Sequence, residues 1–280
     1  RAGLDALAPC DWVIVHDGAR PCLEIPMLER GLAAARDVGA AVAGVPVKDT
    51  IKVVSDLGAV VVAAGISSRM GGVDKIFAPV LGRPLLSFAL DRLQAFPAVT
   101  EIVLVLDSGS LNQGRELVDS DGYCKVAHVC PGGKRRQDSV RAGLDALAPC
   151  DWVIVHDGAR PCLEIPMLER GLAVAQEVGA AVAGVPVKDT IKVVSDQGAV
   201  VDTPDRRSLW AAQTPQIFRY DLLRDAHDRC SDDVTDDAMM VESLGYAVKM
   251  FLGSYENLKV TTPEDLISAE AFLKSRELAY

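Results

Sequence analysis

The chain has 280 residues, a net charge of −10 and close to half of its residues hydrophobic. That length supports a large core in one or two domains. The acidic balance argues against general nucleic-acid binding, which rests on neutralising phosphates, and no apolar run reaches the ~18 residues of a membrane span.

The first residues, Arg1-Ala-Gly-Leu-Asp, lack the basic-then-apolar pattern of a secretory signal. Seven cysteines (Cys10, Cys22, Cys124, Cys130, Cys150, Cys162, Cys230) form no Cys-x-x-Cys pair. An odd count without metal spacing fits reduced thiols in a cytosolic protein. The expectation is a cytoplasmic protein, or a plastid one in a plant, although no transit peptide is seen.

Residues 1–61 repeat residues 141–201 with four differences: Ala34 for Val174, Arg36 for Gln176, Asp37 for Glu177 and Leu57 for Gln197. A single offset of this size is no solenoid period. Both copies end in Gly-Ala-Val-Val and diverge after it. Residues 1–58 therefore read as a partial duplicate of 141–198, non-functional by itself, and 59–280 as the working domain. The duplicate encodes a strand at 12–15, a helix at about 24–38 and a strand at 40–45.

An apolar run at 59–64 breaks at Gly65 into a loop holding Ser67, Ser68, Arg69, Gly71, Gly72 and Lys75. This reads as a buried strand feeding a turn. Small residues let backbone N–H groups approach an oxyanion, Arg69 can grip phosphate bidentately and Lys75 adds a point charge. The combination suits a nucleoside triphosphate, though neither a Walker A loop nor Gly-x-Gly-x-x-Gly is present.

A helix follows at 84–96, then a strand at 101–106, a helix at 112–119 and a strand at 125–130. Residues 131–140 hold a glycine pair, three cations (Lys134, Arg135, Arg136) and Ser139 at the start of a helix ending near 147. They suit base and phosphate contacts. A central strand at 151–155 ends in His156-Asp-Gly-Ala-Arg-Pro161. Open α/β sheets bind ligands at such carboxyl ends. Asp157 suits Mg²⁺, which takes one or two carboxylates plus substrate phosphates, and Arg160 suits a substrate phosphate. His156 reads as packed or hydrogen-bonded.

A helix at 165–178 and a strand at 180–187 come next. Two β-prone runs, 190–194 and 199–201, flank Ser-Asp-Gln-Gly, which is hairpin chemistry. With its polar flanks the stretch of about 188–209 reads as a projecting arm. Beyond it lie a helix at 220–230, a helix start capped at Thr235, a strand at 247–252, a short strand at 257–260 and a last helix opened by Thr261-Thr-Pro-Glu-Asp. Strands alternating with helices predict an α/β fold with a doubly wound, mainly parallel sheet.

Five segments now stand in order: Ala-Ala-Gly-x-x-x-Arg-Met…Lys (63–75), Gly-Gly-x-x-Arg-x-Asp-Ser-Val (132–140), Val-His-Asp-Gly-Ala-Arg-Pro (155–161), Asp-Arg…Leu-Trp…Gln-Thr-Pro-Gln (205–216) and Asn-Leu-Lys-Val-Thr-x-Pro-Glu-Asp-Leu (257–266). Together they resemble the 2-C-methyl-D-erythritol 4-phosphate cytidylyltransferases, across essentially all of 59–280. The resemblance implies a Rossmann-like nucleotidyltransferase that uses Mg²⁺, CTP and a polyol phosphate in non-mevalonate isoprenoid synthesis. It implies that Arg69 and Lys75 stabilise the transition state and that Arg206 and Lys259 position the attacking phosphate. Asp157 would hold the metal, with Arg160, Thr190 and Thr214 completing the substrate site. The backbone at Ala63, Ala64, Gly65 and Gly133, with the Ser139 side chain, would hold CTP. A homodimer through the β-arm is also implied, Thr190 and Arg206 serving the partner's site, with no nucleic-acid or membrane partner. A ribitol 5-phosphate cytidylyltransferase is the alternative within the fold. An inactive nucleotide-binding protein disturbed by the duplicate is the alternative outside it.

Overall fold

The computed structural model describes residues 28–30, 32, 33, 36, 56–65, 74–230 and 232–277. The chain divides into two compact units, Arg1–Val53 and Val54–Tyr280. In the first, the described residues are helical and fall within the helix expected at about 24–38. The strands expected at 12–15 and 40–45 lie outside the described residues, as do Ser67, Ser68, Arg69, Gly71 and Gly72.

The second unit is built on a seven-stranded sheet. Strand β1 (Leu57–Ala63) starts earlier than the boundary expected at 59. A short hairpin, β2 (Pro79–Val80) and β3 (Arg83–Pro84), leads into α1 (Leu85–Ala95). Then come β4 (Val99–Leu106), α2 (Leu111–Asp121), β5 (Val126–Pro131), α3 (Arg136–Ala146), β6 (Trp152–Asp157), α4 (Ile165–Val178) and β7 (Ala180–Pro186). The arm pairs β8 (Val193–Val194) with β9 (Val200–Asp202), antiparallel. The chain closes with β10 (Trp210–Arg219), α5 (Tyr220–Arg229), α6 (Asp237–Ser243), β11 (Lys249–Leu252) and α7 (Pro263–Glu277).

The sheet order is β11-β7-β10-β6-β1-β4-β5. All pairings are parallel except those of β10, which runs antiparallel to both β6 and β7. Alternate residues of β1 pack on opposite faces, as the period of a strand requires. Leu57, Ala59, Val61 and Ala63 join a core with α1, α2 and α4, while Val60 joins a core with α3, α5 and α6. The result is a sheet between two helical layers, the doubly wound arrangement expected from the sequence. A smaller cluster (Val80, Leu85, Cys162, Val260, Ala269, Leu273) seats α7.

Two local expectations are corrected, and one strand is added. Residues 210–219 form a strand that the sequence hides, because Pro215 removes a backbone donor and marks a run as non-central. The ladder accommodates it with a register shift between Ala212 and Gln216. Residues 257–260 are not a strand. This segment is tied to the loop after β6 instead, by Val260 N–H to Ala159 O at 2.8 Å. The cap of α6 is Asp236, which accepts from Met239 N–H at 3.0 Å, and not Thr235.

The string Gly-Ala-Val-Val takes two structures. Residues 58–61 are buried in β1, whereas residues 198–201 lie exposed at the tip of the arm, with Val200 58% and Val201 63% accessible. Leu57, just before the first, is fully buried, and Gln197 before the second is exposed.

Candidate active site

The strand order fixes where a ligand sits. β4 and β5 follow β1 on one side and β6 lies on the other, so the chain leaving β1 and the chain leaving β6 diverge and open a crevice. A cavity of about 430 Å³ occupies it, lined by Ala63, Ala64 and Gly65 after β1, Gly132, Gly133 and Ser139 around the start of α3, and Asp157 at the end of β6. Lys75, Lys134, Arg135, Arg136 and Lys259 bring positive charge to its walls. The glycine pair is sterically required here. A Cβ on Gly132 would stand 2.3 Å from the Ala64 Cβ, and one on Gly133 2.3 Å from the Asp138 Cβ. Ser139 Oγ accepts from Gly133 N–H at 3.1 Å and so fastens that turn.

A second cavity of about 230 Å³ adjoins the first. It is lined by Arg160, Gln213, Thr214, Gln216, Thr235 and Asp236, among others. The two cavities share Arg136, Asp157 and Lys259.

Asp157 is the centre of this boundary. Its Oδ1 meets Arg136 Nε at 3.3 Å, and its Oδ2 meets Lys259 Nζ at 2.9 Å and Arg160 Nε at 3.5 Å. Burial pushes its carboxyl up, but Arg136, Lys259 and Arg160 outweigh burial and hold it below the usual carboxylate range. It is therefore ionised, with cations in excess around it. Arg160 also donates through Nη1 to Asn257 O at 2.7 Å. That bond holds the segment carrying Lys259.

Behind Asp157 the proton positions are determined. His156 Nε2 faces Arg160 O at 3.1 Å, and a carbonyl only accepts, so Nε2 carries the hydrogen. Nδ1 is then an acceptor and takes the Thr214 hydroxyl proton at 3.1 Å. Thr214 Oγ1 in turn accepts Asp157 N–H at 3.0 Å. Burial lowers His156 to about 4, so it is the neutral packed residue expected. Asn257, fully buried, donates to Thr214 O at 2.8 Å and locks β10 to the Lys259 segment.

Of the expected site residues, the structure brings Ala63, Ala64, Gly65, Lys75, Gly133, Ser139, Asp157, Arg160, Thr214 and Lys259 to the two cavities. Arg69 lies outside the described residues. Thr190 and Arg206 are on the arm and line neither cavity. Arg206 donates to Lys188 O at 2.6 Å, and the Lys188 ammonium sits 3.5 Å over the Tyr255 ring, which pins the base of the arm. Asp74, beside Lys75, accepts from Ser110 Oγ at 2.7 Å and so ties the end of the glycine-rich loop to the start of α2. Sequence reasoning missed this tie. It also missed the pairing of Arg136 with Asp237, since the two stand far apart in the chain. The only signals were Arg136 three residues after Gly133 and Asp237 within the helix start read as capped at Thr235.

Comparison with known proteins agrees with this geometry. The family model for 2-C-methyl-D-erythritol 4-phosphate cytidylyltransferase matches residues 57–275, and matches residues 1–61 a second time. The chain is 49% identical over 218 residues to the protein of that name from Dehalococcoides mccartyi strain 195, covering 78% of this chain and 96% of that one. It is 46% identical over 224 residues to the one from Desulforamulus reducens, with the same coverage. Among solved structures, 4-diphosphocytidyl-2C-methyl-D-erythritol synthase from Anaerococcus prevotii superposes with a TM-score of 0.70 at 29% identity, over 79% of this chain and 97% of that one. The cytidylyltransferase from Thermus thermophilus gives 0.64 at 33% identity, over 78% and 99%. The chain belongs to the 2-C-methyl-D-erythritol 4-phosphate cytidylyltransferase family.

Proposed function

We propose that this chain transfers CMP from CTP to 2-C-methyl-D-erythritol 4-phosphate, releasing pyrophosphate and 4-diphosphocytidyl-2-C-methyl-D-erythritol. The observation that carries the reading is the pair of adjoining cavities sharing Arg136, Asp157 and Lys259. CTP fits the larger one, with cytosine against the backbone of Ala63, Ala64 and Gly133. The polyol phosphate fits the smaller one, among Arg160, Thr214 and Lys259. A substrate phosphate oxygen attacks the α-phosphorus in line, the bond to the β-phosphate breaks, and the electron pair leaves with pyrophosphate. No protein nucleophile is needed. Two anions must meet, so the work of the site is positioning and cationic stabilisation. Lys75 and Arg69 serve the nucleotide phosphates, and Lys259 the attacking one.

Among the described residues, Asp157 is the one carboxylate shared by the cavities. That suits Mg²⁺, which takes much of its coordination from substrate phosphates. Bound there by Asp157, it would neutralise phosphate charge.

The arm supports a homodimer. Ile191, Val193, Val194, Val200 and Val201 are all exposed on it, and Thr190 and Arg206 would complete the partner's site. Residues 1–58 are read as a passenger on the domain at 59–280. The five described cysteines are free thiols, as a reducing cytoplasm keeps them.

Pyrophosphate release by the full chain tests the reaction, with Mg²⁺, a panel of nucleoside triphosphates, and either 2-C-methyl-D-erythritol 4-phosphate or ribitol 5-phosphate. Release with CTP and the first polyol is expected. Release only with ribitol 5-phosphate would move the assignment, and silence with both would refute it.

A further inference from the structure

Among the described residues, Arg136 and Lys259 are the two cations lining both cavities, and both rest on Asp157. Arg136 differs in having a second carboxylate behind it. Its Nη1 meets Asp237 Oδ2 at 2.6 Å, and its Nη2 is buried without a protein partner among the described residues. Asp237 lies in the first turn of α6 and is fully buried. Its other oxygen, Oδ1, takes Nε2–H of His227, a buried residue of α5, at 3.2 Å. From α6 to the crevice the charges alternate in sign: Asp237, Arg136, Asp157, Lys259.

Stability does not account for Asp237. Desolvating a buried ion pair costs about what the pairing returns, and well-packed apolar residues in such places are commonly as stable. Position gives a better reason. Without Asp237 the carboxylate left to Arg136 is Asp157, and a guanidinium facing one carboxylate prefers the bidentate, fork-to-fork pair. That pairing would draw Arg136 off the boundary between the cavities and occupy both oxygens of Asp157.

We infer that Asp237 is a positioning residue for the transfer: it holds the Arg136 guanidinium across the boundary of the two cavities, where this cation meets the reacting phosphates. The inference rests on the reading that CTP and the polyol phosphate fill those cavities. A cation at their boundary acts where the two anions are forced together, so its loss falls on kcat more than on the binding of either substrate.

The test compares pyrophosphate release by the unaltered chain, Asp237→Asn, Arg136→Ala and the double variant. Arg136→Ala is expected to lower kcat about a hundredfold, the scale for losing one transition-state donor. Asp237→Asn is expected to lower kcat roughly tenfold, with both KM values held within about twofold. The double variant is expected to be no slower than Arg136→Ala alone, because Asp237 acts through Arg136. A purely structural Asp237 would lower the melting temperature and leave kcat per folded molecule unchanged, which overturns the inference. So would losses that multiply in the double variant. If Asp237→Asn melts below the assay temperature, Asp237→Leu, which fills the site without charge, is read by the same criteria. Silence of the unaltered chain with every polyol phosphate would refute the reaction itself, an outcome distinct from these.

Discussion

Thr214 Oγ1 stands 3.1 Å from His156 Nδ1 and donates a hydrogen bond to it, while accepting the backbone N–H of Asp157. The link works only with a neutral imidazole. Burial lowers His156 from 6.5 to about 4. Between those values the unfolded chain binds a proton that the folded chain does not, so stability is present above pH 6.5 and is lost as pH falls toward 4. Fully developed, the loss is roughly 3 kcal/mol. Denaturant midpoints between pH 7 and pH 4 should fall more steeply for the unaltered chain than for His156→Gln. Parallel curves would show that His156 does not carry this dependence.

Lys259 reaches Asp157 from a segment fixed by Arg160 and Asn257. Lys259→Gln should remove roughly 3 kcal/mol of transition-state stabilisation, a loss on the order of a hundredfold in kcat/KM for the polyol phosphate. The melting temperature should barely change, since the side chain is 38% exposed. Steady-state kinetics varying each substrate in turn checks this. An unchanged kcat/KM would remove Lys259 from the site.

The Ser110 hydroxyl holds Asp74, the neighbour of Lys75. Ser110→Ala should free that end of the loop and lower kcat by on the order of tenfold, as expected for one hydrogen bond to a charged group. Fold stability should change little because Ser110, though half-buried, belongs to none of the hydrophobic cores. Activity equal to the unaltered chain would mean that Lys75 is positioned without the tie.

The exposed valines of the arm predict its role in assembly. Val194→Asp combined with Val201→Asp places charge on residues 55% and 63% accessible. Under the proposed homodimer, mass measured in solution should shift from dimer to monomer, and turnover should fall with it as Thr190 and Arg206 lose the partner's cavity. A monomeric unaltered chain would refute the dimer.

Much of the second unit was legible in the sequence because buried parallel strands are continuous apolar runs and their helices carry clear ends. The helix expected at 165–178 is α4 residue for residue, closed by Gly179 at φ 98°. The glycine pair and Asp157 were legible as cavity-lining positions, since each sits at the end of a strand where ligands gather, whereas Lys259 was legible only through the family resemblance, its segment being no strand. β10 was not. Gln213, Thr214 and Gln216 are polar yet buried, because their partners stand in the loop at Ser254, in β6 and at the cap of α6, which periodicity cannot see. Nor was the bond from Arg136 to Asp237, whose two ends stand on different helices and meet only once the sheet has brought those helices together.

The doubly used string Gly-Ala-Val-Val is a seam. In one place it is a core strand and in the other the tip of a hairpin, and the surroundings, not the four residues, decide which. An exchange between two gene copies anywhere within those codons therefore rewrites neither strand. A join inside β6 or α4 would instead sever a buried element from its continuation. Joining a partial copy ahead of a whole one at this string therefore leaves both described uses of it, the core strand and the hairpin tip, as they stand.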